Sequence, residues 1–201
     1  MSPTLEPAGP LDLVLVTRVV DFAALKHRGQ RRKGAAGEPY FNHLAEVAFL
    51  VAKATEGRDP LVVLGALLHD TVEDTATTED ELEAEFGAEV ARLVAEVTDD
   101  KRLPKAERKR LQIETAPHKS DRAKLIKIAD KTSNLRGIAN SPPTDWDLAR
   151  QQEYFAWAAR VVEGCRGVNP GWRRSSTTPI GTAWPASPAV RGPPSNRVPA
   201  P

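Results

Sequence analysis

Cysteine is nearly absent. Cys165 is the only one in 201 residues, which excludes an internal disulfide and makes a reducing cytoplasm the expected setting. Aromatic residues are sparse, at 5%, so a core has to be built from Leu, Val, Ala and Ile. No apolar run approaches the roughly 20 residues of a membrane-spanning helix. Residues 1–10 carry neither the basic start nor the apolar centre of a secretory signal. No membrane partner is expected. A strong charge of one sign is also missing. The net charge is +1, spread unevenly: residues 170–201 hold four Arg and no acid, leaving 24 basic against 27 acidic residues before them. Such a balance does not suit general binding to nucleic-acid backbone, so any anion site must be assembled locally.

What remains is a charged, Leu/Val/Ala-rich chain of one-domain size, and from residue 11 to about 166 it reads as helix after helix. Val16, Val19, Val20, Ala23, Ala24 and His27 recur at threes and fours over residues 11–28. The same spacing predicts helices over 44–54, 88–97, 105–115, 123–138 and 145–163. Residues 61–69 are almost wholly apolar behind Pro60, as a central helix would be. Thr78 and Glu81 form a capping box for 79–85. No segment alternates with period two. The fold expected is all-α, with a flexible stretch over 1–10, a helical domain over 11–169 and a disordered tail over 170–201, where eight of the 17 prolines lie.

Within this frame, polar residues stand where apolar ones belong. His69-Asp70 closes the most apolar helix, and His43 and Asp130 sit on others. Burying them unpaired costs roughly 1–3 kcal/mol or more per group, and a shared cation would remove that cost. Two imidazoles with two carboxylates suit Mn²⁺, Fe²⁺, Co²⁺ or Zn²⁺ better than Ca²⁺. Each residue singly also fits a hydrogen-bonded core histidine or a surface acid, and spacing alone leaves the choice open. Glu73 and Asp74 follow on the same face if the helix continues; they read either as a pair handling a proton or as a solvated acidic helix end. Arg31, Arg32 and Lys33 form one basic cluster, and Lys101, Lys105, Arg108 and Lys109 another. For Arg108 to Arg110 a solvated face is the expectation. His27 is expected to be structural, His118 a loop residue and Cys165 without a role.

His43, His69-Asp70 and Asp130 in Ile128-Ala129-Asp130-Lys131 resemble the H…HD…D signature of the HD superfamily. The stretches RRK at 31–33, PYFNH at 39–43, LLHDTVEDT at 67–75, VTDDK at 97–101 and ADKTSNLR at 129–136 are similar to the hydrolase domain of RelA/SpoT proteins. LPKAERKRLQIETAP at 103–117 and QEYFAWAA at 152–159 resemble the small hydrolase-only subgroup named for the metazoan SpoT homologue. The resemblance spans about residues 21–169. Leu44 stands where the family has proline, and the Pro-rich segment stands where a further amphipathic helix is expected.

This resemblance implies an HD-type helical fold and a divalent ion, manganese, held by His43, His69, Asp70 and Asp130. It further implies Glu73 and Asp74 as catalytic acids, with Arg32, Lys33, Lys105 and Asn134 as substrate contacts. The implied reaction is removal of the 3′-pyrophosphate of ppGpp or pppGpp, leaving GDP or GTP. Two alternatives stay open: the same fold acting on NADPH or another nucleotide, and a non-catalytic nucleotide-sensing module. Homo-oligomerisation is left undecided.

Overall fold

The computed structural model describes residues 12–168, and in that range the chain is all-helical, as expected. The expectations for residues 1–10 and 170–201 lie outside the described residues. Among the described residues nine α-helices follow in order: α1 Leu13–Lys26, α2 Phe41–Ala54, α3 Pro60–Leu68, α4 Thr71–Asp74, α5 Glu79–Phe86, α6 Ala88–Val97, α7 Lys105–Thr115, α8 Asp121–Asn140 and α9 Leu148–Gly164. A 3₁₀ turn, Ala116–His118, joins α7 to α8 and contains the histidine expected in a loop.

Local chemistry sets the boundaries. Asp12 accepts hydrogen bonds from the Val14 and Leu15 amides at the start of α1. Asp59 caps α3, whose first residue is Pro60. Thr78, Ser120 and Asp147 cap α5, α8 and α9 through side-chain oxygens. Such caps satisfy amides that have no partner within the helix and contribute about 1 kcal/mol each. The main departure from the expected boundaries is at α2. It begins at Phe41 rather than residue 44, because the chain turns at Pro39 and the His43 amide bonds back to the Tyr40 carbonyl. His43 therefore belongs to the first helical turn.

The core forms where α2, α3, α6 and α8 meet. Val47, Leu50 and Val51 of α2, Val62, Leu64 and Leu68 of α3, Leu93 and Val94 of α6, and Ile126 of α8 are all buried there. Each contributes roughly 1.5–3 kcal/mol of burial. Gly65 permits the close approach of α3: a Cβ there would stand 2.7 Å from Leu93 Cδ2. None of the helices among the described residues is long and apolar enough to cross a membrane. The start of α2, the end of α3 and the middle of α8 meet beside this core and build the site.

Candidate metal centre

His43 comes from the start of α2, His69 from the end of α3, and Asp130 from the middle of α8. All three are buried, and one ligand-type atom from each lies within 4.8 Å of the others. His43 Nε2 is 3.4 Å from Asp130 Oδ1 and 3.5 Å from Asp70 Oδ2. His69 Nε2 is 3.0 Å from the same Asp70 oxygen and 4.0 Å from Asp130 Oδ1. The Nε2 atoms of both histidines are buried and have no hydrogen-bond partner in the protein. Two such orphans facing two carboxylates are the donor set that a divalent ion satisfies.

The far sides of the rings are occupied. His69 Nδ1 lies 2.8 Å from the Ala66 carbonyl, which can only accept, so Nδ1 carries a proton and in the neutral ring Nε2 presents a lone pair. His43 Nδ1 lies 2.9 Å from Ser133 Oγ. Asp130 is held from both sides: Lys131 Nζ stands 2.8 Å from Oδ2, and the Asn134 amide donates to Oδ1 at 2.6 Å. Lys131 itself sits over the Trp157 ring, 4.6 Å from its centre. Tyr40 donates to Asp70 Oδ2 at 2.6 Å and stacks on His27. Burial, then the Asp70 carboxylate, push the Tyr40 phenol above its usual value, so it remains a donor.

The electrostatics point the same way. Burial alone would lower the His69 imidazole, but the Asp70 and Asp130 carboxylates outweigh it and raise it to about 9. Burial works against the Asp70 and Asp130 carboxylates as well. The His69 charge holds Asp70 low, and Lys131 with the two histidines holds Asp130 low. The pocket is built to keep two carboxylates ionised in a dry setting, and it requires positive charge.

Helix α3 does end at Leu68, but His69 and Asp70 keep near-helical backbone and α4 resumes at Thr71, with the Asp74 amide bonded to the Asp70 carbonyl. The HD pair and the two following acids thus share one winding. Glu73 Oε2 accepts from the Asp99 amide at 3.2 Å, with Lys101 Nζ at 3.5 Å and Arg108 Nη1 at 3.6 Å from Oε1. Burial first, then the Asp99 and Asp70 charges, raise the Glu73 carboxyl above its ordinary value. Asp74 is paired with Lys101 at 2.5 Å, and its carbonyl accepts from Gln30. Lys127, buried, donates to the Val97 carbonyl at 2.6 Å and so steadies the loop whose Asp99 amide meets Glu73.

The basic residues gather beside the acids. Arg32 Nη2 donates to Asn134 Oδ1 at 3.2 Å, which ties the first basic cluster to the Asp130 helix. Lys33 and Lys105 are both exposed and close enough to repel. Lys105 is lowered first by partial burial and then by Arg150, Lys109 and Lys33. Within this basic group Glu153 pairs with Lys109 at 3.0 Å. Arg110 lies on a solvated face, paired with Glu107 and Glu114, as expected. Arg108 does not: its side chain is 23% exposed and turned toward Glu73. Tyr40, Ser133, Glu46, Lys127 and Arg136 also support the site, although spacing alone does not mark them for it. Tyr40, Ser133 and Arg136 stand inside the quoted motifs, and Glu46 follows His43 by one turn; that adjacency was the available signal. Cys165 is buried, and burial pushes its thiol up, which disfavours the thiolate.

The HD-domain family profile matches residues 19–160. A Homo sapiens protein named guanosine-3′,5′-bis(diphosphate) 3′-pyrophosphohydrolase MESH1 is 58% identical over 149 residues, covering 74% of this chain and 83% of that one. The Drosophila melanogaster protein of the same name is 49% identical over 150 residues, covering 75% and 84%. A solved structure described as a metazoan orthologue of SpoT that hydrolyses ppGpp superposes with a TM-score of 0.76 at 45% identity, covering 84% of this chain and 92% of that one.

Proposed function

The chain belongs to the HD-domain family, and on that premise we propose that it is a metal-dependent guanosine-3′,5′-bis(diphosphate) 3′-pyrophosphohydrolase, converting ppGpp and water to GDP and pyrophosphate. The activity follows its similarity to the human and fly enzymes of that name. The observation that carries the site assignment is the pair of buried, unpartnered Nε2 atoms facing Asp70 and Asp130.

His43, His69 and Asp130 would hold the ion, with Asp70 as the fourth ligand beside both imidazoles. This N/O set suits Mn²⁺, Fe²⁺, Co²⁺ or Zn²⁺ better than Ca²⁺, and the resemblance to the RelA/SpoT hydrolase domain selects manganese among them. A divalent ion held there supplies Lewis-acid polarisation of the phosphoryl group and charge neutralisation. Glu73, raised by burial and its acidic neighbours, is suited to accept a proton from the attacking water and return it to the leaving 3′ oxygen. Asp74, fixed by Lys101, orients that water. Arg32, Lys33 and Lys105 bind the phosphates as charge-assisted donors. Asn134 supports nucleotide placement while steadying Asp130. The catalytic unit is residues 11–169, and the compartment is the cytoplasm.

The test is incubation of the purified full chain with Mn²⁺ and, separately, ppGpp or NADPH, with products resolved by ion-exchange chromatography. Stoichiometric GDP and pyrophosphate are expected from ppGpp. Inert ppGpp refutes the assignment, and turnover of NADPH alone moves the enzyme to another nucleotide.

A further inference from the structure

We propose that Ser133, Glu46 and Arg136 form a relay that fixes His43 as its Nδ1–H tautomer, so that Nε2 meets the metal as a bare donor. The inference rests on the cluster being a metal centre and assigns positioning residues to it.

Proton direction decides the tautomer. Ser133 is fully buried on α8 and has a single hydroxyl proton. Its Oγ lies 2.6 Å from Glu46 Oε2 and 2.9 Å from His43 Nδ1. A carboxylate only accepts, so the hydroxyl proton goes to Glu46. The serine oxygen then has only lone pairs to offer His43, and Nδ1 must donate. The opposite arrangement would set the serine oxygen against the carboxylate at 2.6 Å with no proton between them. Arg136 Nη1 donates to the other Glu46 oxygen at 2.9 Å and keeps it a carboxylate. The geometry is economical in sequence. His43 and Glu46 are three apart on α2, Ser133 and Arg136 three apart on α8, and the two pairs face each other across the interface. The second ligand histidine gets the same tautomer from a backbone carbonyl, Ala66. The relay is the only one of the two devices that a side-chain substitution can remove. Partners of this kind orient a ligand ring and raise its basicity, and their loss typically costs 10–100-fold in metal affinity.

Two measurements on the full chain test this. The first is the imidazole nitrogen correlation spectrum of the metal-free wild-type protein at a pH where His43 is neutral. It should show His43 as the Nδ1–H form, and an Nε2–H form overturns the relay. The second is Mn²⁺ affinity by electron paramagnetic resonance of the free ion, for wild type, Ser133→Ala and Glu46→Ala, with circular dichroism to establish that each variant is folded. Affinity should fall on the order of 10–100-fold in both variants. Unchanged affinity in a folded Ser133→Ala protein overturns the proposal. Failure of the wild type to bind Mn²⁺ at all is a different result: it removes the metal centre itself and the relay with it.

Discussion

Adding one methyl group to α8 should separate substrate binding from folding. Gly137 lies one turn beyond Ser133, and a Cβ there would stand 2.6 Å from Arg32 Nη2 and 3.4 Å from its Cζ. A comfortable contact is about 3.5–4.0 Å, so in Gly137→Ala the guanidinium has to withdraw by roughly 1 Å. Its bonds to Asn134 Oδ1 at 3.2 Å and to the Ser133 carbonyl at 3.5 Å would then be lost. Stability changes little. Alanine gains about 0.8–1.0 kcal/mol over glycine inside a helix, and Arg32, half-buried, can turn its charge to solvent, which limits the cost of the lost bonds to a similar size. Substrate binding changes more. If Arg32 holds a phosphate, its displacement removes a charge-assisted contact of about 1.5–3 kcal/mol, which is a fall of roughly 10- to 100-fold in kcat/KM for ppGpp. Thermal melts and steady-state kinetics on the same preparation read both quantities. A double-mutant cycle sharpens the test: in an Arg32→Ala background Gly137→Ala should have no further effect on kcat/KM. Wild-type kcat/KM in Gly137→Ala, or full additivity in the cycle, would refute the placement of Arg32 as a substrate contact held by Asn134.

Glu73→Gln should bind Mn²⁺ normally and lose nearly all turnover, since an amide relays no proton; near wild-type kcat would remove Glu73 from the chemistry. The same variant has a stability signature. The folded-state carboxyl is raised above its ordinary 4.5 by burial, Asp99 and Asp70, so the protonated form is favoured in the fold. Its stabilisation is full below the unfolded value and is lost as pH rises through the folded one. Metal-free Glu73→Gln should therefore melt higher than wild type at pH 7, with the difference shrinking toward pH 4; an equal or lower melting point at pH 7 contradicts the shift. Lys105→Ala should raise KM for ppGpp by roughly 10- to 100-fold, on the basis of one lost charge-assisted contact, with a weakened salt dependence. Unchanged KM would return Lys105 to the solvated surface.

Much of this architecture was legible in the chain. The apolar run behind Pro60 predicted the central helix, and α3 is buried at Val62, Leu64, Ala66, Leu67 and Leu68. The H…HD…D pattern named His43, His69 and Asp130 as candidate ligands, and the fold brings one ligand-type atom of each within 4.8 Å of the others. What escaped was the support around them, for reasons of geometry. Ser133, Glu46 and Arg136 look like ordinary helix polar residues until α2 and α8 pack face to face and place Glu46 between a serine and an arginine. Arg108 was read with Arg110 as one solvated run, yet two residues along a helix is a turn of about 200°. Arg110 pairs in solvent while Arg108 faces Glu73. Such roles depend on which helix comes opposite, and periodicity within a single helix does not encode that.

The measurement that meets the central claim most directly is an anomalous difference map at the manganese edge from crystals of the full chain equilibrated with Mn²⁺. The account predicts one strong peak within coordination distance of His43 Nε2, His69 Nε2 and Asp130, with an Asp70 oxygen beside it, and loss of that peak in His69→Ala. A peak elsewhere, or an empty cluster at saturating Mn²⁺, would contradict it.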